Sequence, residues 1–309
     1  MAGSDARITG VIIEGPAGLQ RCDDACMRIA IIGTGSIGST FALHLARAGH
    51  DVTVIARGAR LEQLRAENAI VTVDGERVKV DVSGALESTT PWDLVLVTVL
   101  APQVDAVLPS LSASNAKTVM FMFNTFEPLD RLRDAVGAGR FAFGFPAVLA
   151  TLHDGKLKTK VFAHGQITTV TSPVWAKLFT GARIPTVAHD DIHSWLRTHA
   201  AFIMPFMALA AMVHARGGGV SFAEALRIAR AMSAGFALVR ALGNSITPFA
   251  MLFLSHVPDV MTALAVWVAS RTQMVRAMGA LGPGEARMLV DTMSAAAPDR
   301  SEAIRAIRP

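Results

Sequence analysis

The stretch Met27-Arg28-Ile29-Ala30-Ile31-Ile32-Gly33-Thr34-Gly35-Ser36-Ile37-Gly38 decides how the chain is read. An apolar run enters the glycines, and an apolar segment from Phe41 to Ala48, closed by Gly49, leaves them. That order is strand, tight turn, helix. Gly33 permits the turn, Gly35 lets the backbone approach a pyrophosphate, and Gly38 allows close packing of helix on strand. Thr34 to Ile37 open the helix, offering N–H donors and the positive end of its dipole to an anion. Asp51 to Ala56 follows as a second strand, so the spacing predicts a β-α-β dinucleotide fold.

The end of that second strand selects the dinucleotide. A site for NAD usually places Asp or Glu about 20 residues on, against the ribose 2′-hydroxyl. Here the strand ends Val54-Ile55-Ala56-Arg57-Gly58-Ala59-Arg60, without a carboxylate. Arg57 and Arg60 stand where a 2′-phosphate would be met, and their donor forks suit it. NADP(H) is the expected cofactor; the alternative is that both arginines cap a solvated loop.

Farther along, 69–73 and 77–82 flank Asp74-Gly75, a hairpin signal. The runs 93–99 and 118–123 read as buried parallel strands, with helices at 104–111 and 128–136. Strands are expected at 141–145, 158–163, 166–171 and 184–187, and a helix at 175–180. After Ala188-His189-Asp190-Asp191 the character changes to helix: 192–215, 222–242, 247–254, 258–277 and 284–296. The expected α/β architecture is therefore a Rossmann-like, doubly wound sheet domain over 27–189 and an all-helical domain over 190–309. Residues 1–26 form an extension in which Ile8–Ile13 could add an edge strand.

Composition excludes several classes. The 309 residues suffice for two domains, and 51% hydrophobic against 17% charged residues describes a folded chain. With no Tyr, no Tyr acid is available. Two Cys, Cys22 and Cys26, provide neither a disulfide framework nor a four-Cys zinc site. No metal-binding His/Glu motif and no Gly-x-Ser-x-Gly elbow is present, so no metal site and no hydrolase is expected. The net charge of +4 is unclustered, which argues against nucleic acid. A mean hydropathy of +0.41 raises the membrane question. The most apolar run, Ala200 to Val213, is broken by Pro205 and falls short of the roughly 20 residues a span needs. No membrane span is expected, and the acids Asp5, Glu14, Asp23 and Asp24 do not suit a secretory leader, so a cytoplasmic location is expected. The Ala- and Met-rich helices would fill a core or bury a homodimer interface.

Chemistry is sought beyond the carboxyl ends of the strands. Asn124 ends the strand Val119–Phe123 and could hold the nicotinamide, the ribose or a substrate oxygen, or cap the next helix. Thr98, Leu100 and Gln103 line the same rim. In Asp190-Asp191-Ile192-His193-Ser194-Trp195-Leu196-Arg197-Thr198-His199, His193 and Arg197 share one helix face, as do Trp195 and His199. Arg197 could clamp a substrate carboxylate. His193 or His199 could protonate an alkoxide, or be a satisfied interior residue. Glu285, after Gly282-Pro283-Gly284, could anchor a substrate hydroxyl or simply open a helix.

The run Met27–Gly38, Arg57 after the second strand, Asn124 after a buried strand, and a helical region opening near Trp195 together resemble the ketopantoate reductases. The resemblance implies NADPH-dependent reduction of a 2-oxo acid, for the family 2-dehydropantoate to pantoate in pantothenate synthesis, in a cleft between two domains. It places the family's catalytic Lys at Arg197 and its following Asn positions at Ala201 and Pro205. A register shifted by one gives Leu196, Ala200 and Met204, and neither register restores the polar face. The family's late Glu falls at Glu285. A reductase of a larger or more apolar 2-oxo substrate is therefore expected. The alternatives are an opine- or imine-forming dehydrogenase and a non-catalytic protein that senses NADP(H) or binds a partner.

Overall fold

The structure, a computed structural model, describes residues 26–280 and 282–309. The expected Ile8–Ile13 strand and Cys22 lie outside the described residues. β1 (Arg28–Ile32) is buried from Ile29 onward, as a strand covered on both faces must be. α1 (Ser36–Arg47), β2 (Asp51–Ile55) and α2 (Gly58–Glu67) complete the first unit. The hairpin β3 (Ala69–Val71) and β4 (Arg77–Lys79) follows, and β5 (Asp81–Ser83) joins the main sheet beside β2. Alternation continues through β6 (Leu94–Val97), α3 (Leu108–Ala113), β7 (Val119–Met122), α4 (Asp130–Val136) and β8 (Phe141–Phe145). Then come the hairpin β9 (Val148–His153) and β10 (Lys156–Val161), β11 (Thr168–Val170), α5 (Pro173–Gly181) and β12 (Thr186–Ala188).

The eight-stranded sheet has the order β12-β11-β8-β7-β6-β1-β2-β5. From β5 to β8 every pairing is parallel; β11 runs antiparallel to β8, and β12 parallel to β11. The chain steps to opposite sides of β1, to β2 first and later to β6. The crevice beyond the carboxyl ends of β1 and β6 is thus the switch point where such sheets bind ligands.

Two stretches depart from the sequence reading. Residues 77–82, read as one strand, divide at buried Val80 between the hairpin and the main sheet. The strand β9 has no counterpart in the pattern-based expectation. Asp154 and Gly155, with φ of 48° and 76°, form the two-residue turn that joins it to β10, the same Asp-Gly signal as at Asp74-Gly75.

Beyond β12 the described residues are helical: α6 (Ile192–Arg216), α7 (Phe222–Ala241), α8 (Phe249–Leu254), α9 (Asp259–Ala269), α10 (Gln273–Gly279), α11 (Gly284–Ala296) and α12 (Glu302–Arg305). α6 starts where the Asp191 carboxylate accepts from the Ser194 N–H, and it stops at Gly217, whose φ of 72° is left-handed. At 25 residues it is long and apolar enough to cross a membrane, whereas the run Ala200–Val213 alone is too short. It packs instead against α7, α10 and α11, with 67% of its most apolar window buried, as a core helix. The single helix expected over 258–277 is two, because Ser270 Oγ donates to the Trp267 carbonyl and accepts from the Val220 N–H. Thr272 Oγ1 then caps α10 by accepting from the Val275 N–H. The sheet domain and helical region interlock: Phe126, after β7, is buried in the helical core, and Trp195 and Leu196 of α6 pack against the sheet.

Candidate active site

A cavity of about 910 Å³ opens at the switch point, lined by the glycine turn, the end of β2 with Arg57, and Thr98 to Leu100. The three glycines divide the work. At Gly33, with φ of 93°, a Cβ would sit 2.7 Å from the Val99 nitrogen. At Gly38 it would press on the Gly33 carbonyl and on Thr98 Oγ1. At Gly35 no described atom lies within 4 Å, and the space left by the missing side chain opens on the cavity rather than on packed neighbours. Gly35 caps α1 without a side-chain acceptor, and no acid stands in the helix's first turn, around Ser36 and Ile37. Its leading N–H groups suit an anion. Thr34 Oγ1 is buried without a partner, whereas the Thr98 hydroxyl is spent on the Gly33 carbonyl at 2.8 Å. This cradle fits the pyrophosphate of a dinucleotide.

The two arginines after β2 part company. Arg57 is exposed at the start of α2 and lines the cavity. Arg60 lines the cavity too, but most of its donors are engaged within the protein. Its Nε donates to the Thr34 carbonyl at 3.1 Å, its Nη2 to Ser39 Oγ at 2.9 Å, and its Nη1 to the Gly155 carbonyl and Gln63 Oε1 at 2.9 Å each. Four of the five guanidinium donors are occupied. Arg60 therefore ties the glycine turn to the β9–β10 hairpin.

One strand over from the cavity rim, Asn124 Nδ2 donates to Glu285 Oε1 at 3.1 Å, joining the end of β7 to the first turn of α11. Burial raises the Glu285 carboxyl above its ordinary range, opposed by the Asn124 bond. Asn124 Oδ1 is buried and has no partner. The same loop receives two further candidates. Arg197 Nε donates to the Phe126 carbonyl at 3.2 Å and its Nη1 to Asn244 Oδ1 at 2.5 Å, with the guanidinium 5.3 Å from the Phe126 ring centroid. Among the described residues no carboxylate lies within ion-pair distance of Arg197, and its Nη2 has no hydrogen-bond partner. His193 lies one turn earlier; burial and the adjacent Arg197 lower its pKa, and among the described residues its buried Nε2 has no partner.

His199 is set apart. Its ring stacks on Trp195 at 5.3 Å, lies 4.2 Å from Phe145, and meets Gln166 through Nδ1 at 2.5 Å. Burial pushes its pKa down to about 3. Burial favours the neutral ring and so the interior reading of His199 over the proton-donor one. None of Asn124, His193, Arg197, His199 and Glu285 lines the large cavity.

The switch-point cradle, the open helix terminus and the appended helices place the protein in the Rossmann class. Residues 29–172 match the family model of ketopantoate reductase PanE/ApbA. A 2-dehydropantoate 2-reductase from Vibrio cholerae is 32% identical over 134 residues, 43% of this chain and 41% of that protein. The match thus spans about two-fifths of the curated relative. A PanE/ApbA family ketopantoate reductase from Ralstonia eutropha superposes with a TM-score of 0.68 at 20% identity, covering 91% of this chain and 96% of the other. A D-mandelate dehydrogenase solved with NADH gives a TM-score of 0.66 at 14% identity over the same shares. At those identities the likeness is one of fold.

Proposed function

We propose that the protein is an NADP(H)-dependent reductase that converts a 2-oxo acid to the 2-hydroxy acid, with Glu285 as proton donor. The observation that carries this reading is the Asn124–Glu285 pair, a half-buried carboxyl held one strand away from the open glycine cradle. The family's usual Lys is replaced by Arg197, and no Lys occurs after Lys177. A guanidinium stays charged and is a poor proton donor. A carboxyl raised by burial is a better one.

Thr34, Gly35 and the start of α1 would hold the pyrophosphate, and Arg57 the 2′-phosphate. When bound, NADPH supplies the hydride equivalent for the carbonyl carbon. Glu285 gives its proton to the carbonyl oxygen as the C=O double bond is lost, and solvent reprotonates the carboxylate. Asn124 keeps the carboxyl in place and turns its free Oδ1 to cofactor or substrate. Arg197, without a carboxylate of its own, offers charge to the substrate carboxylate through Nη2.

The test is NADPH oxidation followed by absorbance over a panel of ketopantoate, aliphatic and aromatic 2-oxo acids, with and without amines. Turnover of a 2-oxo acid without amine is expected, and Arg57→Ala should erase most of the preference for NADPH over NADH. Turnover only with an amine would make it an imine-forming enzyme. NADPH binding with no turnover across the panel would leave a sensing role.

A further inference from the structure

On the reductase reading above, we infer that Asn244 is a positioning residue: it aims Arg197 at the carboxylate of the 2-oxo acid without neutralising it. Arg197 is only 7% exposed, yet the groups that hold it are uncharged. Its Nε donates to the Phe126 carbonyl at 3.2 Å, its guanidinium lies 5.3 Å from the Phe126 ring centroid, and its Nη1 donates to Asn244 Oδ1 at 2.5 Å. A cation taken out of water needs both hydrogen bonds and a counter-charge to offset its lost hydration. Two carbonyl oxygens and an aromatic face supply the first. Among the described residues no carboxylate supplies the second. The cage is therefore one anion short, and the substrate carries that anion.

Asn244 is fixed from three sides. α7 ends in a Schellman motif: Gly243, with φ of 79°, donates to the Arg240 carbonyl at 3.0 Å, and the Asn244 N–H donates to the Val239 carbonyl at 3.2 Å. Farther along the same loop, Thr198 Oγ1, next to Arg197 on α6, accepts from the Thr247 N–H at 3.3 Å and donates to the Ser245 carbonyl at 3.4 Å. The Asn244 side chain is then set by Ser194, one turn before Arg197, whose buried Oγ accepts from Nδ2 at 3.0 Å. A guanidinium can only donate, so the amide has one orientation, oxygen to Arg197 and nitrogen to Ser194. An Asp of the same shape would accept from Arg197 as well. It would also complete an ion pair inside the protein and compete with the substrate for the charge.

The test is steady-state kinetics with the 2-oxo acid of the panel that the wild type reduces fastest, and with its carboxamide as substrate or competing ligand. NADPH fluorescence titration and thermal unfolding are run on the same samples. Asn244→Asp keeps the acceptor and adds the charge, so it should raise KM for the acid by about 10–100-fold and leave the carboxamide within about 3-fold, with NADPH affinity retained. Asn244→Ala, which lets the guanidinium turn, should raise KM for the acid by about 10-fold. Ser245→Ala, an exposed side chain on the same loop, should match the wild type. Equal weakening of acid and carboxamide in Asn244→Asp would make Asn244 a packing residue and overturn the inference. So would an unchanged KM for the acid in both Asn244 variants when Arg197→Met raises it. An unchanged KM for the acid in Arg197→Met would instead overturn the reading of Arg197 itself, and this role of Asn244 with it.

Discussion

Two ionisable side chains, Glu285 half-buried and His199 fully buried, show how burial sets a role. Glu285 has a pKa above that of the unfolded chain, so its favourable contribution is full at acid pH and is lost as pH rises through the folded value. As a proton donor it must be protonated, and kcat should fall with rising pH over the same limb. Glu285→Gln should lower kcat by about 10²–10⁴ and abolish that limb, with NADPH affinity unchanged; steady-state pH profiles beside fluorescence titration check this. His199 works in the opposite sense. Its folded pKa of about 3 lies below the ordinary value of 6.5, so its share of stability is present above pH 6.5 and drains away as pH falls. Between pH 7 and pH 5 the loss should be about 2 kcal/mol, at ~1.36 kcal/mol per unit. Urea midpoints should show His199→Leu losing correspondingly less over that interval. Both residues are plain in the sequence, but their environments are not. Helical spacing pairs His199 with Trp195, whereas Phe145 and Gln166 reach the ring from distant parts of the chain and complete the burial that depresses its pKa.

At the scale of elements, the glycine turn separates packing from binding. Gly38→Ala forces a Cβ onto the Gly33 carbonyl and Thr98 Oγ1 and should cost about 1–3 kcal/mol of stability, read from thermal or urea unfolding. Gly35→Ala meets nothing within 4 Å and should leave stability nearly unchanged while weakening NADPH binding by about 10-fold or more. Arg60→Met should release the turn from the β9–β10 hairpin and weaken NADPH and NADH alike. Arg57→Ala should weaken NADPH selectively, so paired titrations with the two dinucleotides distinguish a strut from a phosphate reader. The strand–turn–helix order and the absent carboxylate after β2 were legible because both are local patterns. The part played by Arg60 was not, since its partners Ser39 and Gly155 lie 21 and 95 residues away. The break between α9 and α10 escaped the apolar periodicity for the same reason: Ser270 answers to Val220, fifty residues back.

Across the whole molecule, the loop after β7 is the meeting point. Asn124 holds α11, and the Phe126 carbonyl and ring hold Arg197. Arg197→Met should therefore lower the melting temperature as well as the affinity for a substrate carboxylate, whereas Arg197→Lys should recover stability only in part, lacking the planar fork. Differential scanning calorimetry beside KM measurements separates the two effects. Sequence periodicity marked where helices replace strands, but it could not show that this loop and the start of α6 exchange Phe126 and Trp195 between their cores.

The cradle's confinement to residues 32–152 has a consequence for how such a chain changes over time. Under the proposed function, the half that would grip the dinucleotide is bound by tight backbone geometry and can drift little. The helical half would answer only to whichever substrate it must accommodate, and could be rewritten without disturbing that grip. Inheritance of the first half with reinvention of the second is what a family match ending at residue 172 would leave behind.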